Sequence, residues 1–328
     1  MKESVAARPN LWSALVDAVL RRREASILVV ALGLIFYFQA ANNVFLSKDN
    51  VATVAQFAAP WAIIAAGEVM LLICGEIDLS VGQVFALAPF IMNFAFMAGI
   101  PLVASVIIAL AASALVGLIN GVVTVVLRVP SFVTTLGTLF LLNGFTLTIT
   151  NGFPVAAPGS GTFSLILGHG MFAPILWAIG IMIAGQILLT STRWGLHTIA
   201  TGGNQLGASE SGVNIRRIKV GNFMLTSVLG GLAGILTAVR ITSMDPLAGG
   251  TDVMFRAVAA AVIGGTALAG GSGTVAGAFL GALVLATIFD GFTLLGVSAF
   301  TFDMILGAAI LLAMILNVYL ARLRRAGK

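Results

Sequence analysis

Charged side chains are scarce in this chain of 328 residues, where they make up 9% of the sequence. An ordinary soluble domain carries about 25%. The 17 Lys and Arg and the 12 Asp and Glu are too few to cover a water-soluble globule of this size, and hydrophobic residues make up 59% of the chain. A water-soluble enzyme and a disordered chain are therefore excluded. The composition predicts an all-α, polytopic helical membrane protein.

Residues that carry chemistry are also few. Cys74 is the single cysteine, which excludes a disulfide scaffold, and His169 and His197 stand apart with no HExxH pattern for a metal. No GxxxxGK[ST] phosphate loop is present. We therefore predict no metal, no cofactor and no catalytic residue. The chain is expected not to be an enzyme and not to hydrolyse ATP itself.

Long apolar runs without alternation are abundant, as in residues 105–118 and 223–239. A membrane β-barrel would instead show alternating segments of about ten residues. A helix needs about 20 apolar residues to cross a bilayer, and we predict that ten segments cross it or partly enter it. They are 26–42, 51–73, 82–99, 102–127, 131–150, 172–190, 220–241, 254–268, 274–290 and 300–320, of which the eighth is short.

Basic residues concentrate in short patches, and residues 1–24, 193–219 and 322–328 hold most of the 17 Lys and Arg. Such patches beside apolar segments are typical of loops that face the cytoplasm. This distribution argues against nucleic-acid binding despite the net charge of +5. The predicted regions are a cytoplasmic N-terminal segment 1–25, a transmembrane domain 26–320 and a cytoplasmic tail 321–328.

Both ends of the chain are predicted to be cytoplasmic. Arg21–Arg23 directly precede the first segment, and Arg322, Arg324 and Arg325 follow the last. Two ends on the same side require an even number of crossings, which ten satisfies. Residues 151–170 and 243–252 would then lie outside.

Two dipeptide pairs recur at one spacing and raise the alternative of an internal duplication. Asn120-Gly121 precedes Leu136-Gly137 by the same interval that separates Asp290-Gly291 from Leu306-Gly307. An Ile-x-Gly lies upstream of each pair, at 73–75 and 263–265. Duplicated halves are common in transporters, with the solute path between them. Chance matching in a chain rich in glycine and leucine is the other interpretation.

Glycines spaced four apart predict close packing of helices. Gly273, Gly277 and Gly281 would share one helical face, and the spacing returns at Gly117/Gly121 and Gly230/Gly234. Removing side chains lets two helices approach each other, which is a main source of packing in lipid.

Residues 264–273, GGTALAGGSG, are too rich in glycine for a straight helix. They predict a broken membrane element whose free backbone groups meet water or protein.

Acidic residues within apolar stretches mark candidate path residues, because charges are costly in lipid and usually face a cavity or a partner. The densest site is GEIDLSVG at 75–82, where Glu76 and Asp78 interrupt two predicted segments. One interpretation is a broken helix along a solute path. The other is a short interfacial turn in which Ser80 caps the next helix. The candidate translocation-path residues are Glu76, Asp78, Ser80, Asn120, Thr266 and Asp290.

The longest polar stretch between predicted segments is the loop 191–219. Asn204 is placed to cap a short helix at about 205–211, and Gly212 is placed to end it. The loop is either a basic connector or a small helix presented to a cytoplasmic partner.

Five stretches, in order within residues 50–318, resemble one known family. GEIDLSVG at 75–82 is similar to the GGIDLSVG-type signature of the permease subunits of ribose/xylose/galactose-type ATP-binding-cassette (ABC) importers. The other similar stretches are NGVVTVVLRVPSFVTTLGT at 120–138, GGNQLGASESGVN at 202–214, GGTALAGGSGTVAGAFLGA at 264–282 and GFTLLGV at 291–297. Two departures are Glu76, where a second glycine is common, and Gln205-Leu206-Gly207, where an acidic and alanine-rich start is more usual.

The resemblance implies a multi-pass permease subunit of the bacterial plasma (inner) membrane that moves a sugar or related small polar solute inward. It implies a second permease subunit in a homodimer or heterodimer, cytoplasmic ATPase subunits that hydrolyse ATP, and an extracytoplasmic sugar-binding protein. The family's coupling helix, which sits in a groove of the ATPase, corresponds to Gly203, Asn204, Gln205, Leu206, Gly207, Ala208, Ser209, Glu210, Ser211 and Gly212. The alternative is an ion-coupled secondary transporter of small polar solutes, since membrane carboxylates can serve as proton relays.

Overall fold

The computed structural model describes residues 23–158 and 161–298, together with 300–305, 307–308, 311–312 and 315 of the last predicted segment. The predicted tail, most of the N-terminal segment and much of the segment 300–320 therefore lie outside the described residues. The long helices are α1 (Arg23–Ala41), α2 (Lys48–Ile73), α3 (Val81–Met97), α4 (Leu102–Val125), α5 (Ser131–Thr150), α7 (Ala173–Ser191), α10 (Ile215–Ile241), α11 (Gly250–Ile263) and α12 (Val275–Leu294). The shorter elements are β1 (Val155–Ala156), α6 (Thr162–Ser164) with a π-helical turn at Leu165–His169, α8 (Arg193–Gly203), α9 (Gln205–Glu210) and β2 (Ser243–Met244).

Among the described residues, seven helices are long and apolar enough to cross a membrane: α1, α2, α4, α5, α7, α10 and α12. They confirm seven of the ten predicted segments. The third predicted segment is the shorter apolar helix α3, and the eighth is α11, which has 14 residues. The all-α, polytopic fold is thus the observed one.

Local sequence explains where several helices begin. The Ser47 hydroxyl accepts a hydrogen bond from the Asn50 amide at the start of α2, and the Thr274 hydroxyl accepts one from the Gly277 amide at the start of α12. α4 and α5 each follow a proline, Pro101 and Pro130, whose fixed φ suits the entry to a helix.

Helices α2 and α10 lie together at the centre of the bundle, and the other helices pack around them in two similar sets. α2 packs on α11 and α12, while α10 packs on α3 and α4. The pairs α3/α4 and α11/α12 also pack on each other. This arrangement is the one that a duplication of a three-helix unit, α2–α4 and α10–α12, would produce.

The repeat landmarks fit that correspondence only in part. Asn120-Gly121 lies near the end of α4 and Asp290-Gly291 near the end of α12, which are equivalent helices. The Ile-x-Gly matches were wrong, because residues 73–75 follow α2 whereas residues 263–265 follow α11. Glycine just after a helix is common at any C-terminus, so this short pattern carries little information on the repeat.

The two ends of the bundle differ. At one end, called here the strand end, β1 and β2 pair antiparallel, with Val155 opposite Met244 and Ala156 opposite Ser243. These strands belong to the two segments that were predicted to share the outer side of the membrane. The opposite end, called here the loop end, carries residues 191–219, because α10 runs from Ile215 in that loop to Ile241 beside β2.

Glycines form the close contacts between helices. A methyl group added at Gly117 would meet the backbone of Phe223 and Met224, and one at Gly234 would meet the backbone of Phe85. Gly281 approaches the Ala260 carbonyl in the same way. These contacts are the seams α4/α10, α3/α10 and α11/α12, as the spacing predicts.

One of the predicted glycines lies elsewhere. Gly273 precedes α12, which begins at Val275 after its cap Thr274, so the prediction that Gly273 shares a helical face with Gly277 and Gly281 was wrong. The reason is the capping hydroxyl of Thr274, which starts the helix after Gly273. Gly273 is nonetheless closely packed, since an added methyl group would lie 2.8 Å from the Thr266 side chain.

We expect Gly277→Ala to lower the stability of the protein by about 1–3 kcal/mol, as overpacking does. The added methyl group would meet the Gly264 carbonyl and lie 2.7 Å from the Thr274 hydroxyl that caps the helix. Gly137→Ala is the matched control, because Gly137 is also helical but has nothing within 4 Å. Thermal unfolding of the two variants in detergent measures the difference. Equal midpoints for both would contradict the packing role of Gly277.

Candidate translocation and coupling site

Two breaks interrupt the helices of the bundle. The first is the turn 74–80 between α2 and α3, which contains most of GEIDLSVG, and the second is the turn 264–274 between α11 and α12. Gly75 has φ +76°, and Gly270 has φ +85°, a backbone region that glycine enters without a steric penalty. Both predicted interruptions of membrane helices are therefore present.

The two breaks meet each other and the end of α8. The Gly271 amide donates to the Ile73 carbonyl at 2.8 Å. A methyl group on Gly202 would collide with that same carbonyl, and one on Gly271 would lie 3.1 Å from the Cα of Gly203. We call this three-way contact of Ile73, Gly271 and Gly202–Gly203 the glycine junction. It consists of main-chain atoms, and a side chain at Gly202 would prevent so close an approach.

The segment that follows the junction is the predicted short helix. The Asn204 side chain accepts from the Gly207 amide at 2.9 Å, α9 extends over Gln205–Glu210, and Gly212 turns the chain with φ +84°. The predicted cap, helix and terminating glycine are all confirmed as local structure. Ala208 is buried against the bundle, whereas Leu206 is 71% exposed.

A buried polar cluster holds the first break in place. The Asp78 carboxylate accepts from the Ser80 hydroxyl at 2.6 Å and from the Ser80 amide at 2.9 Å, and the Ser227 hydroxyl donates to it at 3.3 Å. Asn120 donates to the Ser80 hydroxyl at 2.8 Å and accepts from Thr138 at 2.7 Å. The five side chains come from the break and from α4, α5 and α10.

Ser80 does not cap α3 with its side chain, as the turn interpretation required. Its hydroxyl is used for Asp78 and Asn120 instead. Asp78, Ser80 and Asn120 have no measurable exposure. In this conformation they therefore fix the break and do not face an open passage.

Glu76 lies apart from this cluster although it is two residues away. Its carboxylate forms an ion pair with Lys219 at 2.6 Å, which connects the first break to the first turns of α10, at the end of the 191–219 loop. Both residues line a cavity of about 950 Å³ at the loop end. The walls also come from α9 and from the turn between α4 and α5.

The remaining two candidate path residues lie at other places. Thr266 is buried in the second break, and its hydroxyl has no hydrogen-bond partner in the part of the chain that the structure describes. Asp290 accepts a hydrogen bond of 2.7 Å from the Asn50 amide, near the strand end of α2. The six predicted path residues thus form one cluster of three and three separate sites. Their role in translocation stays a prediction.

Sequence reasoning missed a second group of functional candidates. The Arg256 guanidinium lies over Trp61 and Phe289, 5.1 Å from each ring, and 5.4 Å from Phe302, while forming an ion pair with Asp252 at 2.8 Å. Such cation–π contacts stabilise a charge away from water. Arg256 within an apolar segment was a detectable signal, but its aromatic partners come from three other parts of the chain.

The described fold, with seven membrane-length helices around two joined breaks, defines a polytopic membrane protein of the transport class. The chain belongs to the family described as branched-chain amino acid transport system / permease component, which it matches over residues 50–314. The comparison with solved structures found no match.

Several curated proteins are similar along nearly their whole length. The xylose/arabinose import permease protein XylH of Sulfolobus acidocaldarius is 38% identical over 93% of this chain and 87% of its own. The ribose import permease protein RbsC of Escherichia coli K12 is 35% identical over 89% of this chain and 92% of its own. The autoinducer 2 import system permease protein LsrC of Photorhabdus luminescens is 32% identical over 92% of each chain. These similarities confirm the resemblance to sugar-importer permeases.

Replacing Asn120 with Leu should destabilise the protein by about 1–3 kcal/mol, because buried partners of the amide would be left without hydrogen bonds. Thr138→Val is the graded control, since it removes a single bond to Asn120 and should cost less. Chemical or thermal unfolding in detergent ranks the two variants. A larger loss for Thr138→Val than for Asn120→Leu would contradict the central place of Asn120.

Proposed function

We propose that this protein is the membrane permease of an ATP-driven importer for a sugar or a related small polar solute. It works without an ATP site of its own, and ATPase subunits that dock at the loop end supply the energy. A soluble binding protein delivers solute at the strand end. The loop end then faces the cytoplasm of a bacterial inner-membrane complex, and a second permease subunit completes the passage.

The names of the relatives support the choice of solute. XylH and RbsC are described as import permeases for xylose/arabinose and ribose, and LsrC as one for autoinducer 2. The family description names branched-chain amino acids instead. The near full-length similarity to the sugar permeases favours a pentose or a molecule of similar size and polarity. No relative named here favours the ion-coupled alternative.

The observation that carries the proposal is the glycine junction. A helix that a partner protein moves can transmit that movement only if it is rigidly connected to the helices that rearrange during transport. α9 follows Gly203 directly, and Gly202–Gly203 touch the ends of both breaks through main-chain atoms. Movement of α9 therefore reaches α2 through Ile73 and the α11–α12 turn through Gly271.

A second connection leads from the same loop to the first break. α10 follows α9 after four residues, and its Lys219 holds Glu76. In the proposed mechanism, ATP binding closes the ATPase dimer and moves α9. The two connections transmit that movement to both breaks, and the bundle changes from one open side to the other. Such a switch requires rigid helices with two packed arrangements rather than catalytic side chains.

Leu206→Asp tests docking of the ATPase. Leu206 is the exposed apolar residue of α9, so a carboxylate there should prevent burial in a partner groove. We expect at least a tenfold loss of ATPase that co-purifies with the protein. Leu247→Asp is the control, because Leu247 is 69% exposed but follows β2 at the strand end. Normal co-purification with Leu206→Asp would refute docking at α9.

Gly202→Ala tests transmission separately from docking. The added methyl group would collide with the Ile73 carbonyl, whereas Gly203→Ala meets nothing within 4 Å. In liposomes that contain the complete complex, ATP-driven uptake of labelled ribose or xylose should fall at least tenfold in Gly202→Ala and stay within twofold in Gly203→Ala. ATPase co-purification should be unchanged in both.

The same liposomes test the proposed function as a whole. Uptake should require ATP, the ATPase and the binding protein, and labelled leucine serves as the amino-acid comparison. Accumulation of sugar by the permease alone under an ion gradient would overturn the proposal in favour of the secondary transporter. Uptake of leucine instead of sugar would overturn the solute class but retain the ATP-driven mechanism.

A further inference from the structure

The cavity at the loop end carries more positive than negative charge. Arg128, Arg216 and Lys219 line it, and Glu76 is the one acidic residue among its lining. Glu76 is already paired with Lys219. Among the residues that the structure describes, Arg128 and Arg216 form no ion pair. Both side chains are exposed and line the cavity of about 950 Å³, so two guanidinium groups are available to an anion there.

The cavity also contains a hydrogen-bonding group without a partner. Thr124 is 7% exposed and lines the cavity, and among the described residues its hydroxyl has no hydrogen-bond partner. A buried hydroxyl without a partner is unfavourable, so a ligand or water is expected there. The N-termini of α5 and α10 also lie at this cavity, since Ser131 and Ile215, the first residues of these helices, are among its lining residues. Helix N-termini add partial positive charge and favour an anion.

The backbone at Arg128 is unusual for its residue type. Arg128 has φ +62°, the left-handed region that non-glycine residues rarely adopt. Strained residues of this kind concentrate at functional sites, where the surrounding structure holds them. Here the strained residue lies in the turn between α4 and α5 and is one of the two guanidinium groups of the cavity.

The surroundings of the turn indicate which anion fits. Leu127 is 66% exposed and Phe132 is 57% exposed, so large apolar side chains flank Arg128 on both sides in sequence. A soluble anion would contact only the basic groups, whereas an amphiphile would contact the basic groups with its headgroup and the apolar side chains with its acyl chains. Arginine binds phosphate with paired hydrogen bonds, and basic pockets between membrane helices bind anionic lipid headgroups.

We propose that this cavity binds the phosphate of an anionic phospholipid. Arg128 and Arg216 hold the phosphate oxygens, the Thr124 hydroxyl donates a hydrogen bond within the site, and the acyl chains lie along Leu127 and Phe132. The bound lipid headgroup would then lie between the Glu76–Lys219 ion pair and α9, which both line the cavity. Occupancy therefore stabilises one arrangement of the loop end. This inference does not depend on which solute the protein carries.

The test titrates the full, delipidated chain in detergent with dioctanoyl phosphatidylglycerol or dioctanoyl phosphatidylcholine and counts bound lipid by native mass spectrometry. We expect the wild-type chain to bind phosphatidylglycerol at least tenfold more tightly. The double variant Arg128→Gln/Arg216→Gln should lose this preference, and Thr124→Val should weaken binding about threefold. Arg217→Gln is the matched control, because Arg217 is an exposed neighbour that does not line the cavity. It should stay within twofold.

Any one of four results would overturn the proposal. Equal binding of the two lipids by the wild-type chain, or an unchanged preference in the double variant, would show that the cavity is not the site. Displacement of phosphatidylglycerol by an equal concentration of inorganic phosphate or glycerol phosphate would assign the cavity to a soluble anion. If the double variant binds lipid normally but co-purifies with tenfold less ATPase, the cavity belongs to the surface on which the ATPase docks. The wild-type comparison of the two lipids needs no variant, so misfolding of a variant leaves the test intact.

Discussion

A peptide group within a bilayer has no water to bond with, so each interruption of a membrane helix needs partners from the protein itself. In the part of the chain that the structure describes, two helix interruptions meet at one place, where they supply partners for each other. The Ile73 carbonyl, which ends α2, accepts the Gly271 amide of the second break, and Gly202 of α8 covers the same carbonyl. This contact joins the end of α2, the second break and the end of α8.

The first break has a different partner on each side. Asp78 is fixed within the bundle by neutral donors, while Glu76 reaches Lys219 at the border of the loop-end cavity. One short turn therefore joins a fully buried anchor to a largely buried ion pair that lines the loop-end cavity. Hydrogen bonds of a carboxylate to several hydroxyl and amide groups hold it in one geometry, whereas an ion pair near water can be remade after a movement. The turn is thus rigid at Asp78 and adjustable at Glu76.

Much of the fold could be predicted because its signals are local. Apolar length gave the membrane helices, Asn204 and Gly212 gave the limits of α9, and the glycine content of residues 264–273 gave the second break. The places where prediction failed depend on distant contacts. Ser80 stands at a position typical of a helix cap, but its hydroxyl forms hydrogen bonds with Asp78 and with Asn120 on α4. Local pattern contains no information on such partners.

The candidate site was predictable to a smaller extent for the same reason. Asp78, Ser80 and Asn120 were predicted and do meet, yet Ser227 and Thr138, which complete their cluster, look like ordinary small residues of apolar helices. Arg256 was detectable as a charge in an apolar stretch, but its ring partners Trp61, Phe289 and Phe302 lie far away in sequence. Packing of separate helices, rather than the sequence of any one of them, builds these sites.

The contact of Ile73 with Gly202 and Gly271 involves no side-chain chemistry, and this separates two kinds of evolutionary change. Residues that meet the cargo can mutate freely while the mechanical link is preserved, provided that the glycines stay. In the proposed mechanism, a change of solute therefore requires no change in the contact that transmits the movement of α9. Related permeases with differently named solutes are what such modular inheritance would leave behind.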